Sequence, residues 1–227
     1  MYNQVVKAIF MKKILLFQFL NIFAPNKCYF CGKIGDLVCA ECQSNQEFRI
    51  QTVRRKSETR PTREFFLGDR EGVLAKILDE AKFNGLAENF EVLAKILAES
   101  LKTCDEFSSL KDEIVIVPAP TSARHARQRG VAHSEFMAKI LARELGVKVA
   151  EIVGRKSHFV QKGASAKVRK SQASKGYQLL EKPRTGKIYV VFDDIRTTGA
   201  TIDAIAKNLR EADADEVWAL YLMRQKF

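Results

Sequence analysis

Residues 187–201 read K-I-Y-V-V-F-D-D-I-R-T-T-G-A-T and give the clearest indication of the fold class. Residues 188–192 are all β-branched, aromatic or aliphatic, which predicts a strand buried on both faces, as in a parallel sheet. We expect the strand to end at Asp193 and Asp194. Apolar residues then recur at helical spacing from Ile202 to Leu209, so a helix follows the loop. Ligands bind at such strand–loop–helix junctions in open α/β sheets.

The loop after the acidic pair has the composition of an anion site. Backbone N–H groups of the loop and of the first helical turn lack intrahelical partners, and the helix dipole adds to their attraction for a phosphate. Hydroxyl donors come from Thr197, Thr198 and Thr201. The two carboxylates suit ribose hydroxyls, directly or through a hydrated Mg²⁺. The alternative, a plain helix cap, would need one polar residue where the loop has several.

This stretch resembles the phosphoribosyl diphosphate (PRPP) signature of type I phosphoribosyltransferases, a strand followed by D-D-x-x-T-T-G-x-T. The resemblance implies a parallel sheet flanked by helices, with Asp193 and Asp194 as the catalytic carboxylates that face the ribose 2′ and 3′ hydroxyls. It also implies that PRPP arrives with Mg²⁺. The residues expected to wrap the 5′-phosphate are Thr197, Thr198, Gly199, Ala200 and Thr201. Arg196 stands at a position that the family leaves variable, and we include it in the PRPP-binding set.

The length and composition suit one core and a small appendage. The chain has 227 residues, of which 46% are hydrophobic. No stretch approaches the roughly 18 apolar residues of a membrane span. Residues 11–20 look like a signal peptide that begins at an internal Met, but no small-x-small cleavage site follows them. We therefore expect an apolar N-terminal helix and a cytoplasmic protein, with the start at Met1 or Met11 left open.

Four of the five cysteines lie in two Cys-x-x-Cys pairs separated by seven residues, Cys28 with Cys31 and Cys39 with Cys42. Two such pairs can fold back to form a tetrahedral structural Zn²⁺ site. Two disulfides are the alternative, which a reducing compartment disfavours. We expect an N-terminal module, residues 1–46, that contains the helix and this zinc knuckle, followed by a phosphoribosyltransferase-like domain, residues 47–227.

The segment after the cysteine module changes character twice. Residues 49–63 carry many charges and no apolar period, so we interpret them as a linker or exposed extension. Two amphipathic helices follow, one through Val73 and Ala81 and one through Phe90 and Leu101. Gly85 should cap the first helix. Lys82 either reaches a phosphate or lies in the last helical turn, where a cation suits the dipole.

The excess of positive charge lies in one segment. The net charge is +11, and residues 118–187 contain 16 Lys or Arg against 4 Asp or Glu. Lys and Arg exchange counterions for phosphates, so the segment predicts phosphorylated substrates or nucleic acid as partners. Residues 114–117 form a second buried strand, and residues 136–145 a helix. Candidate pyrophosphate or DNA contacts in this basic segment are Arg124, Arg127 and Arg129; a solvated basic loop is the alternative.

A long basic loop follows a strand predicted over residues 147–153 and has the character of an active-site lid. Its candidate contacts are Arg155, Gln161 and Arg169. Residues 216–222 form the last predicted strand.

Several segments together resemble the ComF family of bacterial phosphoribosyltransferase-like proteins, which is associated with DNA uptake in natural competence. They are the Cys-x-x-Cys pair, K-F-x-G, V-P-A-P, an R-x-x-x-x-x-Q lid and D-D-I-R-T-T-G-A-T, in the family's order from about Phe23 to Met223. Where the family commonly has R-G-F-N-Q, this chain has R-G-V-A-H at residues 129–133. That departure argues against carrying the family's substrate contact over to this segment.

The resemblance implies a competence protein that uses a PRPP pocket and a basic face to handle incoming single-stranded DNA, together with proteins of the competence machinery. One alternative is an active phosphoribosyltransferase that moves ribose 5-phosphate from PRPP to a base or amine. Another is a regulator that senses PRPP. The sequence shows no acceptor site, because few aromatic residues interrupt the basic segment.

Overall fold

The computed structural model describes residues 25–46, 48–121, 132–155 and 176–226. The chain divides into two compact units between Glu47 and Phe48. The expected N-terminal helix falls in residues 1–24, outside the described residues. Among the helices that are described, none has the length and apolar character needed to span a membrane.

The described part of the first unit is a small turn followed by a short helix. Lys27 and Ile34 form an antiparallel bridge. The N–H of Gly32 donates to the carbonyl of Cys28 at 2.8 Å, and Gly32 has a φ of 76°, which closes the turn. Helix α1 (Ala40–Asn45) begins directly after Cys39.

A six-stranded sheet forms the centre of the second unit. The strands of this unit are β1 (Gln51–Arg54), β2 (Arg63–Asp69), β3 (Ile114–Pro118), β4 (Lys148–Val149), β5 (Val153–Arg155), β6 (Tyr177–Leu179), β7 (Ile188–Arg196) and β8 (Glu216–Arg224). The order in the main sheet is β1-β2-β8-β7-β3-β4. Only β1 pairs antiparallel there, and the other neighbours are parallel. Strands β5 and β6 form a separate antiparallel pair. The predicted α/β fold with a parallel sheet is confirmed.

Helices flank this sheet. They are α2 (Gly72–Asn84), α3 (Ala87–Lys102), α4 (Asp105–Ser108), α5 (His133–Leu145) and α6 (Ala200–Glu211). The two amphipathic helices predicted in the middle of the chain are thereby confirmed. Helix α2 ends at Gly85 with a φ of 66°, the left-handed conformation expected of a glycine cap.

The apolar run in β7 is buried on both faces of the sheet, as its composition predicts. Val191 packs in one core cluster with Ile205 and Leu209 of α6. Because successive strand residues point to opposite faces, Val190 and Phe192 face the other side, where they are also fully buried. Helix α5 contacts β3 and β7.

The acidic pair lies within β7 and not after it, which corrects the predicted strand end. The register continues to the end of the strand, with Asp193 opposite Tyr221 and Ile195 opposite Met223 of β8. Ladder hydrogen bonding to β8 therefore overrides the change in composition at residue 193. The backbone of the acidic pair is consequently held by the sheet.

The interpretation of residues 49–63 as a linker is wrong. Strand β1 and the first residue of β2 lie in this segment, and β2 continues through the fully buried Phe65 and Phe66. Several charges of this segment have partners: Arg55 bonds to Glu64 at 2.8 Å, and Arg63 pairs with Glu106 at 2.8 Å. Paired charges allow the segment to join the sheet despite its weak apolar pattern.

The strand predicted over residues 147–153 is in fact two short strands. Strand β4 pairs with β3 in the main sheet, whereas β5 pairs with β6. The last predicted strand is confirmed and extends to Arg224.

Candidate functional site

An open cavity of about 230 Å³ lies at the carboxyl end of β7. Its lining comes from β7, α2, the end of β3, the start of α5, the β5–β6 pair and α6. The residues are Lys82, Ala119, Pro120, Thr121, His133, Ser134, Arg155, Tyr177, Asp193, Asp194 and Thr201. Ligand sites in open α/β sheets form at this edge, so the cavity lies where a substrate is expected.

Asp194 is buried among positive and hydrogen-bonding groups. Its Oδ2 lies 2.6 Å from the Nζ of Lys82 and 3.1 Å from the Nε2 of His133. Its Oδ1 accepts the N–H of Ile195 at 2.7 Å. Burial alone would raise the pKa of Asp194, but the hydrogen bond from His133 and the charge of Lys82 hold that pKa below its usual range. Asp194 is therefore a carboxylate at neutral pH.

Asp193 is half-buried and, unlike Asp194, has no cationic side chain in contact with it among the described residues. Its Oδ1 accepts the hydroxyl of Ser134 at 3.2 Å and the N–H of Asp194 at 3.0 Å. Burial and the neighbouring charge of Asp194 raise the pKa of Asp193 to about 7. The pKa values of two adjacent carboxyls in a shared site move apart in this way, because the two groups cannot both ionise easily.

Replacement of Asp193 by Asn is expected to stabilise the protein at pH 8. Because the folded-state pKa exceeds the ordinary value of 3.8, the favourable contribution of the neutral carboxyl is complete below about pH 4 and is lost as the pH rises through 7. We expect Asp193→Asn to raise the free energy of unfolding by about 1–3 kcal/mol at pH 8 and to change it little at pH 4. Urea denaturation at both pH values measures this.

The matched control for this variant is Asp112→Asn, an exposed carboxylate just before β3 and thus near the opposite edge of the sheet. It should change the stability little at either pH. A gain for Asp193→Asn that is equal at pH 4 and pH 8 would contradict the raised pKa.

Two residues at the start of α5 were missed as site residues. His133 contacts Asp194, and its ring stacks on Phe90 of α3 with centroids 5.7 Å apart. Ser134 contacts Asp193. Residue 133 departs from the family pattern, so the resemblance does not indicate either residue as part of the site. The signal available was a histidine and a serine at the start of a helix that follows a core strand and a basic loop.

The loop at residues 197–201 encloses a second, smaller cavity of about 80 Å³ with Asp193 and Ile195. Gly199 precedes α6 with a φ of 79°, and a Cβ added there would lie 2.6 Å from the Nη2 of Arg196. Glycine is therefore required at this position. The N–H of Ala200 makes only a long hydrogen bond of 3.4 Å to the Oγ1 of Thr198. The N–H groups at the start of α6, together with the threonine hydroxyls, can therefore bind an anion.

Arg196 forms an ion pair with a buried carboxylate. Its Nε lies 3.4 Å from the Oε2 of Glu64, which is 2% exposed. Arg55 and the Tyr221 hydroxyl each donate a hydrogen bond to Glu64 at 2.8 Å. The sequence did not indicate this network, which anchors the end of β7 to β2.

The β5–β6 pair contributes Arg155 and Tyr177 to the larger cavity. The Cζ of Arg155 lies 5.3 Å from the ring centroid of Tyr177, and the Tyr177 hydroxyl donates to the Oγ1 of Thr201 at 3.4 Å. Arg155 is thus the candidate from the basic segment that the structure brings to the acidic pair. The other candidates there, Arg124, Arg127, Arg129, Gln161 and Arg169, lie outside the described residues.

In the first unit, four cysteines form a cluster that could hold a metal ion. The sulfurs of Cys28, Cys31, Cys39 and Cys42 all lie within 4.8 Å of one another. The Sγ atoms of Cys31 and Cys39 are 3.7 Å apart, close to the separation of about 3.8 Å that tetrahedral Zn–S bonds of about 2.3 Å would give. The four thiol groups therefore fit a tetrahedral ion.

The four clustered thiols are also difficult to ionise together without a cation. Burial raises the pKa of Cys42, and its contacts with the other three cysteines raise it further. Burial also acts to raise the pKa of Cys28, but backbone N–H groups, that of Cys39 foremost, lower it to about 6. Four thiolates so close together need a bound cation.

Part of this chain is similar to a known protein family. The phosphoribosyl transferase domain family matches residues 132–226, which include the acidic pair and the loop. A solved purine phosphoribosyltransferase from Pyrococcus horikoshii is 15% identical, with a TM-score of 0.36 over 60% of this chain and 82% of its own.

Two groups of curated relatives extend the match toward the N-terminus. Competence protein F of Haemophilus influenzae is 25% identical over 190 residues, 80% of this chain and 83% of that protein. DNA utilization protein YhgH is 31% identical in Salmonella typhimurium, over 65% of this chain and 66% of that protein. In Escherichia coli K12 it is 29% identical over the same shares. The domain match and these relatives, with the fold and the cysteine cluster, show that the chain belongs to the ComF family of phosphoribosyltransferase-like proteins.

Proposed function

We propose that this chain binds PRPP or a related phosphorylated ribose at the end of β7 and uses that pocket in handling incoming single-stranded DNA during natural transformation. One observation supports the proposed pocket. Asp193 and Thr201 line both the larger cavity and the smaller cavity at the loop of residues 197–201. The carboxylates that would bind ribose hydroxyls therefore lie next to the backbone N–H groups that would bind a phosphate. A ribose 5-phosphate group needs these two features side by side.

The roles follow from the chemistry of each group. Asp193 and Asp194 would accept hydrogen bonds from the ribose hydroxyls. The 5′-phosphate would lie in the loop at residues 197–201, against the first turn of α6. Mg²⁺ would come with PRPP on the oxygens of its diphosphate, since this hard cation prefers oxygen ligands and phosphates. Arg155, which lines the larger cavity, would contact the same diphosphate.

The DNA role rests on the relatives' names and on charge. Competence protein F and DNA utilization protein YhgH are named for processes that involve DNA. The excess of Lys and Arg in residues 118–187 would attract a nucleic acid backbone. Such a role would place the protein in the cytoplasm with other competence proteins.

Structural zinc at the cysteine cluster is part of the proposal. Zinc is the ion expected because it takes four thiolates in tetrahedral geometry. Four sulfur ligands leave no open position, so the ion would stabilise the first unit and take no part in chemistry.

An active phosphoribosyltransferase is the second candidate, favoured by Arg155. This guanidinium lines the same cavity as the acidic pair, where a diphosphate leaving group would need a cation. Acceptor-dependent release of pyrophosphate would identify the transferase, and a salt-sensitive affinity for single-stranded DNA would identify the DNA role. PRPP binding without either would identify a regulator that senses PRPP.

Calorimetric titration of PRPP with Mg²⁺ tests the pocket. At pH 8, where Asp193 is charged, we expect binding to the wild type and an affinity about 10- to 100-fold lower in Asp193→Asn, because a hydrogen bond to a charged group is lost. Asp112→Asn should bind as the wild type does. No binding by the folded wild type would overturn the proposed pocket.

A further inference from the structure

Lys82 provides a positive charge inside the acidic site from a distant part of the chain. It lies in the last turn of α2, and its Nζ is 2.6 Å from the Oδ2 of Asp194. The side chains of Lys82 and Asp194 are 13% and 8% exposed, so solvent screens the pair little. The sequence left open whether this lysine lies on the helix end or reaches an anion. The anion it reaches is a carboxylate of the protein.

Both oxygens of Asp194 have partners. Oδ1 accepts the N–H of Ile195 at 2.7 Å, and Oδ2 is contacted by both Lys82 and His133. The ligand atoms of His133, Asp193 and Asp194 lie within 4.8 Å of one another, so this group could hold a metal ion by spacing alone. A divalent ion at Oδ2 would, however, have to displace the ammonium, because two cations on one oxygen repel each other.

Mg²⁺ fits this position poorly for a further reason. It demands near-octahedral oxygen ligands at about 2.0–2.1 Å and keeps several waters. The partners of Asp194 at the site are an ammonium and an imidazole. The fold family implies a divalent cation, but the side chains around Asp194 do not suit one.

We propose that the ammonium of Lys82 is the built-in cation of this site, so that a ribose 5-phosphate group binds without any divalent ion on Asp194. Any Mg²⁺ that PRPP carries then stays on the diphosphate. The inference rests on the proposed phosphoribosyl pocket for its ligand. Its claim about the cation can be tested without a ligand.

The position of Lys82 is fixed by the helices that carry it. Gly85 ends α2 in the left-handed conformation directly after the last turn. The side-chain amide of Asn89 in α3 donates to the carbonyl of Ile77 in α2 at 3.2 Å, which ties the two helices together. Lys82 itself lines the larger cavity. It therefore meets a bound ligand as well as Asp194.

Thermal denaturation of the full chain with EDTA, Mg²⁺ or Mn²⁺ tests the inference without a sugar. The fluorescence of Trp218 follows the second unit alone, so loss of metal from the cysteine cluster does not affect the measured Tm. The wild-type Tm should be the same in all three. Lys82→Met leaves a buried carboxylate uncompensated, so its Tm in EDTA should fall by on the order of 10 °C. Mg²⁺ or Mn²⁺ should restore several of those degrees, because the ion can now occupy the vacated place. A wild-type Tm that rises with metal as much as that of Lys82→Met would overturn the inference.

Two variants serve as matched controls. Lys76→Met removes an exposed lysine from the same helix and should show neither the loss nor the metal response. Lys82→Met combined with Asp194→Asn removes both charges and should lose the metal response. A metal response that persists in this double variant would assign the ion to another site and overturn the inference.

Calorimetry with ribose 5-phosphate completes the test and uses only the wild type, so it stands even if Lys82→Met does not fold. We expect affinities in EDTA and in Mg²⁺ that agree within about threefold. Binding that needs Mg²⁺ would overturn the role of Lys82. No binding in either condition would contradict the proposed pocket, and the wild-type Tm with and without metal would then decide the inference about Lys82.

Discussion

Removal of metal from the cysteine cluster is expected to unfold the first unit and to leave the second unit folded. Of the described residues in the first unit, only Cys28, Val38 and Cys39 are buried apolar residues, which is too small a core to hold a fold. Structural zinc in small modules supplies an apparent binding free energy of about 10–16 kcal/mol at pH 7. The fold of this unit should therefore depend on the ion.

The folding of each unit can be measured by its own spectroscopic signal. Amide NMR signals of residues 25–46 should lose their dispersion when a chelator is added. The fluorescence of Trp218, the single tryptophan of the chain, should stay unchanged because it lies in the core of the second unit. The purified protein should contain about one equivalent of zinc.

Cysteine substitutions provide the control. Cys31→Ser should reproduce the effect of the chelator, whereas Cys104→Ser, outside the cluster, should not. Less than about half an equivalent of zinc in the reduced wild type would contradict the site.

Truncation of Glu64 is expected to cost about 3–5 kcal/mol of stability, because it leaves the largely buried Arg196 without its carboxylate. Arg196, whose side chain is 16% exposed, would lose the carboxylate that its Nε contacts at 3.4 Å. Arg55 and Tyr221 would each lose a hydrogen bond of 2.8 Å. Urea denaturation of Glu64→Ala, followed by the fluorescence of Trp218, measures the loss.

The matched control is Glu99→Ala. Glu99 pairs with Lys102 on the exposed face of α3, and such surface pairs contribute at most about 1 kcal/mol. Because Arg196 directly precedes the loop at residues 197–201, Glu64→Ala should also weaken PRPP binding. Equal stability losses in the two variants would contradict the buried network.

The sequence predicted the features that depend on neighbouring residues. The apolar run at residues 188–192, the polar loop and the apolar period of α6 specify a strand, a loop and a helix because each has its own local pattern. The spacing of the cysteines likewise predicted their clustering. These are short-range patterns, and all of them appear in the structure.

Contacts between distant segments were not predictable from spacing. Lys82 and His133 meet Asp194 from two different helices, and nothing in the residues around either one indicates that partner. The hairpin of β1 and β2 has the charge pattern of a linker, and partners such as Glu106 that pair with its charges lie far along the chain. Tertiary pairing decided these elements, and local propensity did not.

The strand order has a consequence for synthesis on the ribosome. Strand β8, the last in sequence, lies between β2 and β7 in the sheet. While the chain is being translated, β1 and β2 therefore have no parallel neighbour to join, and β7 has only β3. The sheet closes in one late step that needs contacts across most of the second unit, and such long-range closure is slow. Until β8 emerges, a nascent chain exposes two open strand edges, where a chaperone would be expected to act.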